Sequence, residues 1–199
     1  MTSILKVDTI QDADGNNIIN ESGNTITIGA SGDTTNIIGT LQNDGAAVGG
    51  TNTPAFQARL SDTQSISNGS TTKINFNTED FDTDSCYDNS TNYRFTVPSG
   101  EAGKYFIYFQ MCAYGNNNDE RNMASSIYKN DSHFVNAQWS AYNNPGFYQA
   151  PCLTNIMDLS AGDTLKVYTY MDVSSGTPKV LGESARFATW FQGFKLIGI

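Results

Sequence analysis

No Phe, Tyr or Trp precedes Phe56, and all 23 aromatic residues fall between there and the C-terminus. Aromatic side chains bury more area than any others, so a segment without them has little from which to build its own core. The 199 residues suffice for one well-packed domain and an appendage, not for two large domains. The expected division is an N-terminal segment over 1–50, a linker over 51–54 that ends the turn-rich run from Val48 to Pro54, and a core-bearing domain over 55–199.

Within that domain, strand signals recur every ten to twenty residues between turn clusters. Ala55 to Leu60 reads as a first strand, and Thr72 to Asn77 alternates with period two. Tyr93 to Val97 follows, stopped by Pro98-Ser99-Gly100. Lys104 to Tyr114 carries Tyr105, Ile107, Phe109 and Met111 on one face and Phe106, Tyr108, Gln110 and Cys112 on the other, which predicts a strand covered on both sides. Ser125 to Lys129 and His133 to Trp139 flank a turn at Asn130-Asp131. Leu153 to Leu159 and Thr164 to Met171 flank Ala161-Gly162-Asp163. Arg186 to Ile197 closes the chain. No window has helical period with proper caps. Charged residues make up only 16% of the chain, so its polarity comes from Asn, Ser, Thr and Gly, as suits strands and turns. Many short strands without helices predict an all-β antiparallel sandwich or barrel.

The first fifty residues hold one lysine against six carboxylates, and their isoleucines at 18, 28 and 38 recur every ten residues between turn signals. Strands this short do not bury an apolar face within one chain. A disordered linker is one expectation. The preferred one is a β-repeat stalk that gains its core from identical chains, an attachment and trimerisation segment.

Net charge is −9, and the eleven basic residues are scattered, so nucleic-acid binding is not expected. Met1 to Lys6 lacks the pattern of an export signal, and no apolar run approaches the ~20 residues of a membrane helix. Cys86, Cys112 and Cys152 form no paired motif and are expected to be free thiols, although a single bridge stays open.

Several segments resemble the C1q/TNF-like jelly-roll family. Gly103-Lys104-Tyr105-Phe106-Ile107-Tyr108-Phe109, after Phe95-Thr96-Val97-Pro98-Ser99-Gly100, is similar to the family's glycine-led aromatic strand. Ser126-Ile127-Tyr128-Lys129-Asn130-Asp131 resembles the next strand and its turn. Leu159-Ser160-Ala161-Gly162-Asp163-Thr164-Leu165 and the closing Phe191-Gln192-Gly193-Phe194-Lys195-Leu196 complete the series over about residues 55–199. The resemblance implies a ten-stranded antiparallel jelly-roll sandwich that assembles as a homotrimer with both termini at one end. Neither the secretion signal nor the collagen-like stalk usual in animal members is expected from these residues. Instead, Ser3-Ile4-Leu5-Lys6-Val7-Asp8-Thr9-Ile10 and Asp14-Gly15-Asn16 resemble the start of fibre-like virion proteins of marine tailed bacteriophages.

The residues also suggest sites. The last strand is apolar on both faces, with Phe187 and Phe191 on one and Trp190, Phe194 and Leu196 on the other. One sandwich core hides only one such face, so these five are the expected trimer interface, unless a loop covers the second face. Loops on a rigid sandwich carry recognition, and the candidates are Gly115 to Arg121, Tyr142 to Tyr148 and Val173 to Lys179. Trp139, Tyr142, Asn143, Phe147, Tyr148, Val173 and Ser174 are the candidate ligand-binding residues. Aromatic faces with Asn donors suit glycans, and packing in a core or interface is the competing role.

No cofactor is expected. Among Glu79, Asp80, Asp82, Asp84 and Asp88, the candidate Ca²⁺ ligands are Asp82, Asp84 and Asp88, against the ordinary alternative of a solvated acidic loop. His133 is the single histidine, and no catalytic fingerprint is present, so the chain is not expected to be an enzyme. The expected function is a trimeric phage fibre or a capsid or tail decoration protein of the virion, assembled in the host cytoplasm. It would attach to other virion proteins through residues 1–50 and meet a host surface protein or glycan with its head, without membrane insertion. The alternative is a cellular C1q-like adhesive or lectin module.

Overall fold

A computed structural model describes residues 38–39, 41–43, 46–47, 52–115, 119–145, 148–184 and 188–197. The chain divides into two units, Met1–Gly49 and Gly50–Ile199. Most of the expected β-repeat segment lies outside the described residues. Within it, β1 (Gln42–Asn43) pairs antiparallel with β2 (Ala46–Ala47).

Period-two alternation becomes strand over most of the second unit. Its first strands are β3 (Ala55–Arg59), β4 (Gln64–Ser65), β5 (Ser70–Lys73), β6 (Thr78–Asp82), β7 (Tyr87–Asp88) and β8 (Arg94–Thr96). Next come β9 (Gly103–Gln110), β10 (Ala113–Tyr114), β11 (Asp119–Lys129) and β12 (Ser132–Pro145). The last are β13 (Cys152–Leu159), β14 (Thr164–Val173), β15 (Lys179–Val180) and β16 (Trp190–Lys195). One sheet has the order β13-β9-β16-β3-β6. The facing sheet runs β12-β11-β14-β8-β7, with β5 also on β14, and a small third sheet runs β10-β15-β4. Among the described residues all pairings are antiparallel.

The inner faces of the two larger sheets make one core. Phe56 on β3 stacks on Phe95 at 4.7 Å and on Tyr87 at 5.3 Å, both from the facing sheet. It meets Phe191 of its own sheet edge-on at 5.0 Å. Phe76 closes on Phe109 and Phe191. Such ring pairs add to the area that each ring buries.

Two expected strands change shape for one reason: the chain must pass between sheets. Thr72 to Asn77 stops being strand after Lys73, because the chain there leaves β14 and crosses to become β6 beside β3. Ile74 and Phe76 still drop into the core during the crossing. The Gln64 side chain satisfies the stranded backbone, donating to Lys73 O at 2.7 Å and accepting from Asn75 N–H at 2.9 Å. Likewise, Lys104 to Tyr114 breaks after Gln110. Up to there it pairs β13 and β16, and beyond it Ala113–Tyr114 pairs β15. The hairpin of β11 and β12, by contrast, runs longer at its open end than the sequence suggested.

Strand registers fix the two ends of the sandwich. At one end Lys195 N–H donates to Pro54 O and Leu196 N–H to Lys104 O, so the start and finish of this unit lie together. The Asn130-Asp131 and Ala161-Gly162-Asp163 turns share that end, tied by Asn130 N–H to Thr164 O at 2.9 Å. The opposite end collects the connections after Leu60, Gln110, Pro145 and Val173, braced by the small third sheet.

Gly193 sits on the inner face between Ile107 of β9 and Phe56 of β3. A Cβ there would stand 2.7 Å from Ile107 Cδ1, 3.0 Å from Phe56 Cε1 and 3.1 Å from the Phe106 carbonyl oxygen. Gly193→Ala is therefore expected to destabilise the protein by about 1–3 kcal/mol through overpacking. Urea unfolding at fixed protein concentration reads this as a lower midpoint, and an unchanged midpoint contradicts it.

Candidate functional site

The connections at the end away from Pro54 bring an aromatic cleft together. Trp139 on β12 faces Met123 on β11, its cross-strand partner. Against them stands the segment Gln149-Ala150-Pro151, which leads into β13. Gln149 exchanges two backbone hydrogen bonds with Ala113, at 2.9 and 2.6 Å, and Met111 N–H donates to Pro151 O at 3.0 Å. The cleft between has a volume of about 230 Å³ and is lined by Met123, Trp139, Gln149, Ala150 and Pro151. Beside it, Tyr148 is 62% exposed and stacks on Tyr114 at 5.1 Å.

The candidate ligand-binding set therefore divides. Trp139 lines the cleft half-buried, and Tyr148 is presented to solvent. Tyr142 and Asn143, expected in a loop, belong to strand β12. Phe147 lies outside the described residues. Val173 is corrected: it ends β14 with 2% exposure, its backbone held through both its N–H and C=O by the Asn68 amide. A buried valine offers no side chain to a ligand. Ser174, the next residue, is exposed at the start of the turn. Met123, Gln149 and Tyr114 were missed. Met123 and Gln149 lie outside the expected strands, and Tyr114 ends one without being assigned to a face.

A second surface is the outer face of the five-stranded sheet. Phe106 and Phe194 pair across β9 and β16 with rings 5.3 Å apart, and Tyr108 and Trp190 do so at 6.0 Å. Ile156, opposite Phe106 on β13, is 60% exposed. Trp190 and Phe194 are half-buried on this outer face, and Leu196 is half-buried just beyond the strand. Phe191 is corrected. It is fully buried among Phe56, Phe76 and Tyr87, because inward and outward residues alternate along β16. Phe187 lies outside the described residues.

The acidic candidates do not converge on a common point. Asp82 and Asp88 instead each organise a turn of their own. Asp82 accepts from the N–H groups of Asp84, Cys86 and Tyr87 and from the Cys86 thiol. Asp88 accepts from Ser90, Thr91 and Asn92. Hydrogen bonds from the Thr91 and Ser90 N–H groups, with those from Asn92, hold Asp88 far below the usual carboxylate range. Asp84 takes the Thr83 hydroxyl, and Asp80 pairs with Arg59 at 2.8 Å. Among the described residues no three His, Cys, Asp or Glu side chains are placed to hold a metal ion. The pattern Asp88-x-Ser90-Thr91-Asn92 is itself an Asx-turn signal that predicts this use.

The three cysteines are free, and burial pushes the Cys86 thiol well up, aided by its bond to Asp82. His133 is exposed and meets the Tyr128 ring edge-on at 5.5 Å. Among the described residues no helix is long and apolar enough to cross a membrane.

No family model matches the chain, and no curated protein matches it in sequence. Solved structures do match in fold. The Eiger TNF of S. frugiperda has 14% identity and a TM-score of 0.53, covering 73% of this chain and 93% of that one. The globular domain of zebrafish complement 1qA protein has 15% identity and a TM-score of 0.50, covering 72% and 97%. Murine APRIL has 13% identity and a TM-score of 0.51, covering 71% and 98%. The second unit is therefore an antiparallel C1q/TNF-like jelly-roll sandwich.

Near the Pro54 end, Asp163 joins two hairpin turns. Burial alone would raise its pKa, but hydrogen bonds from Lys129, Asn130 and Ser160 N–H outweigh that and hold it at about 2. A carboxyl held below its unfolded value contributes stability that is complete above that value and is lost as pH falls through the folded one. The window here runs from 3.8 down to about 2. Asp163→Asn is expected to lower the thermal midpoint at neutral pH and to flatten its fall across that window. A pH series of melting curves with parallel slopes for both proteins contradicts the assignment.

Proposed function

We propose that the protein is a non-enzymatic structural component of a virion, a trimeric phage fibre or a capsid or tail decoration protein. Its C1q-like head faces outward to adhere to a host surface or glycan. The observation that carries the trimer is the outer face of the five-stranded sheet. Phe106, Tyr108, Ile156, Trp190 and Phe194 gather there around Gln192, which stands opposite Tyr108, and soluble monomers seldom leave so many large apolar side chains open on one face. Closed cyclic assembly covers such a surface without leaving a free copy of it.

The virion assignment rests on the opening Ser3 to Ile10 and Asp14-Gly15-Asn16, which resemble the start of phage fibre-like proteins. In this role residues 1–50 attach to other virion proteins and help to trimerise the chain. Adhesion rests on the head itself. Its connections at the end away from Pro54 carry exposed aromatic and amide groups on a braced frame, and preformed frames lower the cost of binding.

Light scattering on the full chain is expected to give three times the 21.6 kDa chain mass. Trp190→Glu combined with Phe194→Glu is expected to give a folded monomer, because buried carboxylates without partners oppose association. A wild-type monomer at micromolar concentration, or a variant that stays trimeric, overturns the assembly. Antibody labelling of intact particles decides the virion assignment: decorated particles support it, and unlabelled ones contradict it.

A further inference from the structure

We propose that the cleft between Met123 and Trp139 and the Gln149-Ala150-Pro151 segment binds one neutral pyranose, the terminal sugar of a surface glycan. The proposal rests on the reading of the head as an adhesion module and specifies what it grips.

Three properties of the cleft select this ligand. The first is its wall chemistry. An indole, a thioether, a proline ring and a methyl group line it, with a single amide, Gln149, among them. A pyranose matches such a surface, since one face of the ring carries only C–H groups and packs on an indole. Its rim carries hydroxyls in adjacent pairs, and a glutamine amide both donates and accepts, so one side chain engages two of them. Trp139 is half-buried, fixed on β12 opposite Met123, and so its ring is held in place before any ligand arrives.

The second property is charge. None of the described lining residues is ionised, although the chain as a whole carries −9. A sugar carboxylate or sulfate placed here would lose water without gaining a partner. A neutral sugar meets no such penalty.

The third is size and rigidity. At about 230 Å³ the cleft falls below the usual range for drug-sized ligands, which suits one ring and not an oligosaccharide. Its outer wall does not have to form on binding, because backbone bonds already tie Gln149 to Ala113 and Pro151 to Met111. Tyr148, next to Gln149 and stacked on Tyr114, adds an exposed ring for the sugar that follows. An acyl chain would use the apolar walls but leave the Gln149 amide without partners, so the two ligand classes separate experimentally.

The test is ligand-observed NMR on the full-length protein. The probes are the methyl glycosides of glucose, galactose, mannose and N-acetylglucosamine, with N-acetylneuraminic acid and cyclohexanol as comparators. At least one neutral glycoside is expected to bind saturably in the millimolar range and more tightly than either comparator. Ala150→Trp, which fills the cleft from its exposed wall, is expected to abolish binding. Gln149→Leu, which keeps the volume and removes the amide, is expected to weaken it about ten-fold. If Ala150→Trp does not fold, Gln149→Leu alone decides. Binding of cyclohexanol alone, equal binding of the acidic sugar, no binding by any glycoside, or binding indifferent to the substitutions overturns the proposal. Adhesion to cells by a head that ignores every glycoside removes the cleft and leaves the adhesion reading standing. Glycoside binding without adhesion does the reverse.

Discussion

The Phe56 ring occupies the space that a side chain at position 193 would take, and from there it reaches Tyr87 and Phe95 of the facing sheet. That arrangement needs three things at once. Strand β3 must lie beside β16 in the register that sets Phe56 opposite Gly193. Residue 193 must lack a Cβ. The facing sheet must present flat rings at stacking distance. Each follows from sequence: alternation in Ala55 to Arg59 aims Phe56 inward, the Phe-x-Gly-Phe ending supplies the glycine, and Tyr87 and Phe95 pair across β7 and β8. Truncating a buried ring of this kind typically costs about 3–5 kcal/mol, a large share of the stability of a domain.

The same glycine decides what faces outward. With Phe191 and Gly193 committed to the core, Trp190 and Phe194 necessarily point away from it, where they pair with Tyr108 and Phe106. Strand β16 is thus central in two senses: its inner face completes one core, and its outer face begins the surface assigned to association. The charged residues of the sheet lie around this patch. Arg59, opposite Trp190, pairs with Asp80, and Lys104 stands opposite Asp158 beyond Phe106. A polar rim around an apolar centre is the usual anatomy of a protein–protein contact.

Most of the strand frame was legible in the sequence, because period-two alternation survives wherever a strand has one buried face. Ala55 to Arg59, Gly103 to Gln110 and Thr164 to Val173 all follow it. What alternation does not carry is the identity of the neighbour. The crossing after Lys73 and the break after Gln110 keep their inward side chains in step while the hydrogen-bond partner changes, so the pattern reads as unbroken strand. Parity alone likewise told which residues of β16 share a face without saying which face belongs to the core, and so Phe191 was placed with the interface. The acidic run left two roles open, Ca²⁺ ligands or an acidic loop, and Asp82 and Asp88 each close a separate turn with backbone N–H groups. The cleft at Trp139 depends on Gln149, which is brought to it by a bridge to a residue 36 positions earlier, Ala113. No local pattern encodes that.

The central claim is that one strand separates a core from an assembly surface. Hydroxyl-radical footprinting of the native protein in solution reads it side chain by side chain. Phe106, Tyr108, Trp190 and Phe194 should be protected as strongly as the core rings Phe56 and Phe191, while Phe134 and Tyr148 are oxidised freely. Modification of Trp190 and Phe194 at the rate of Phe134 would contradict the account.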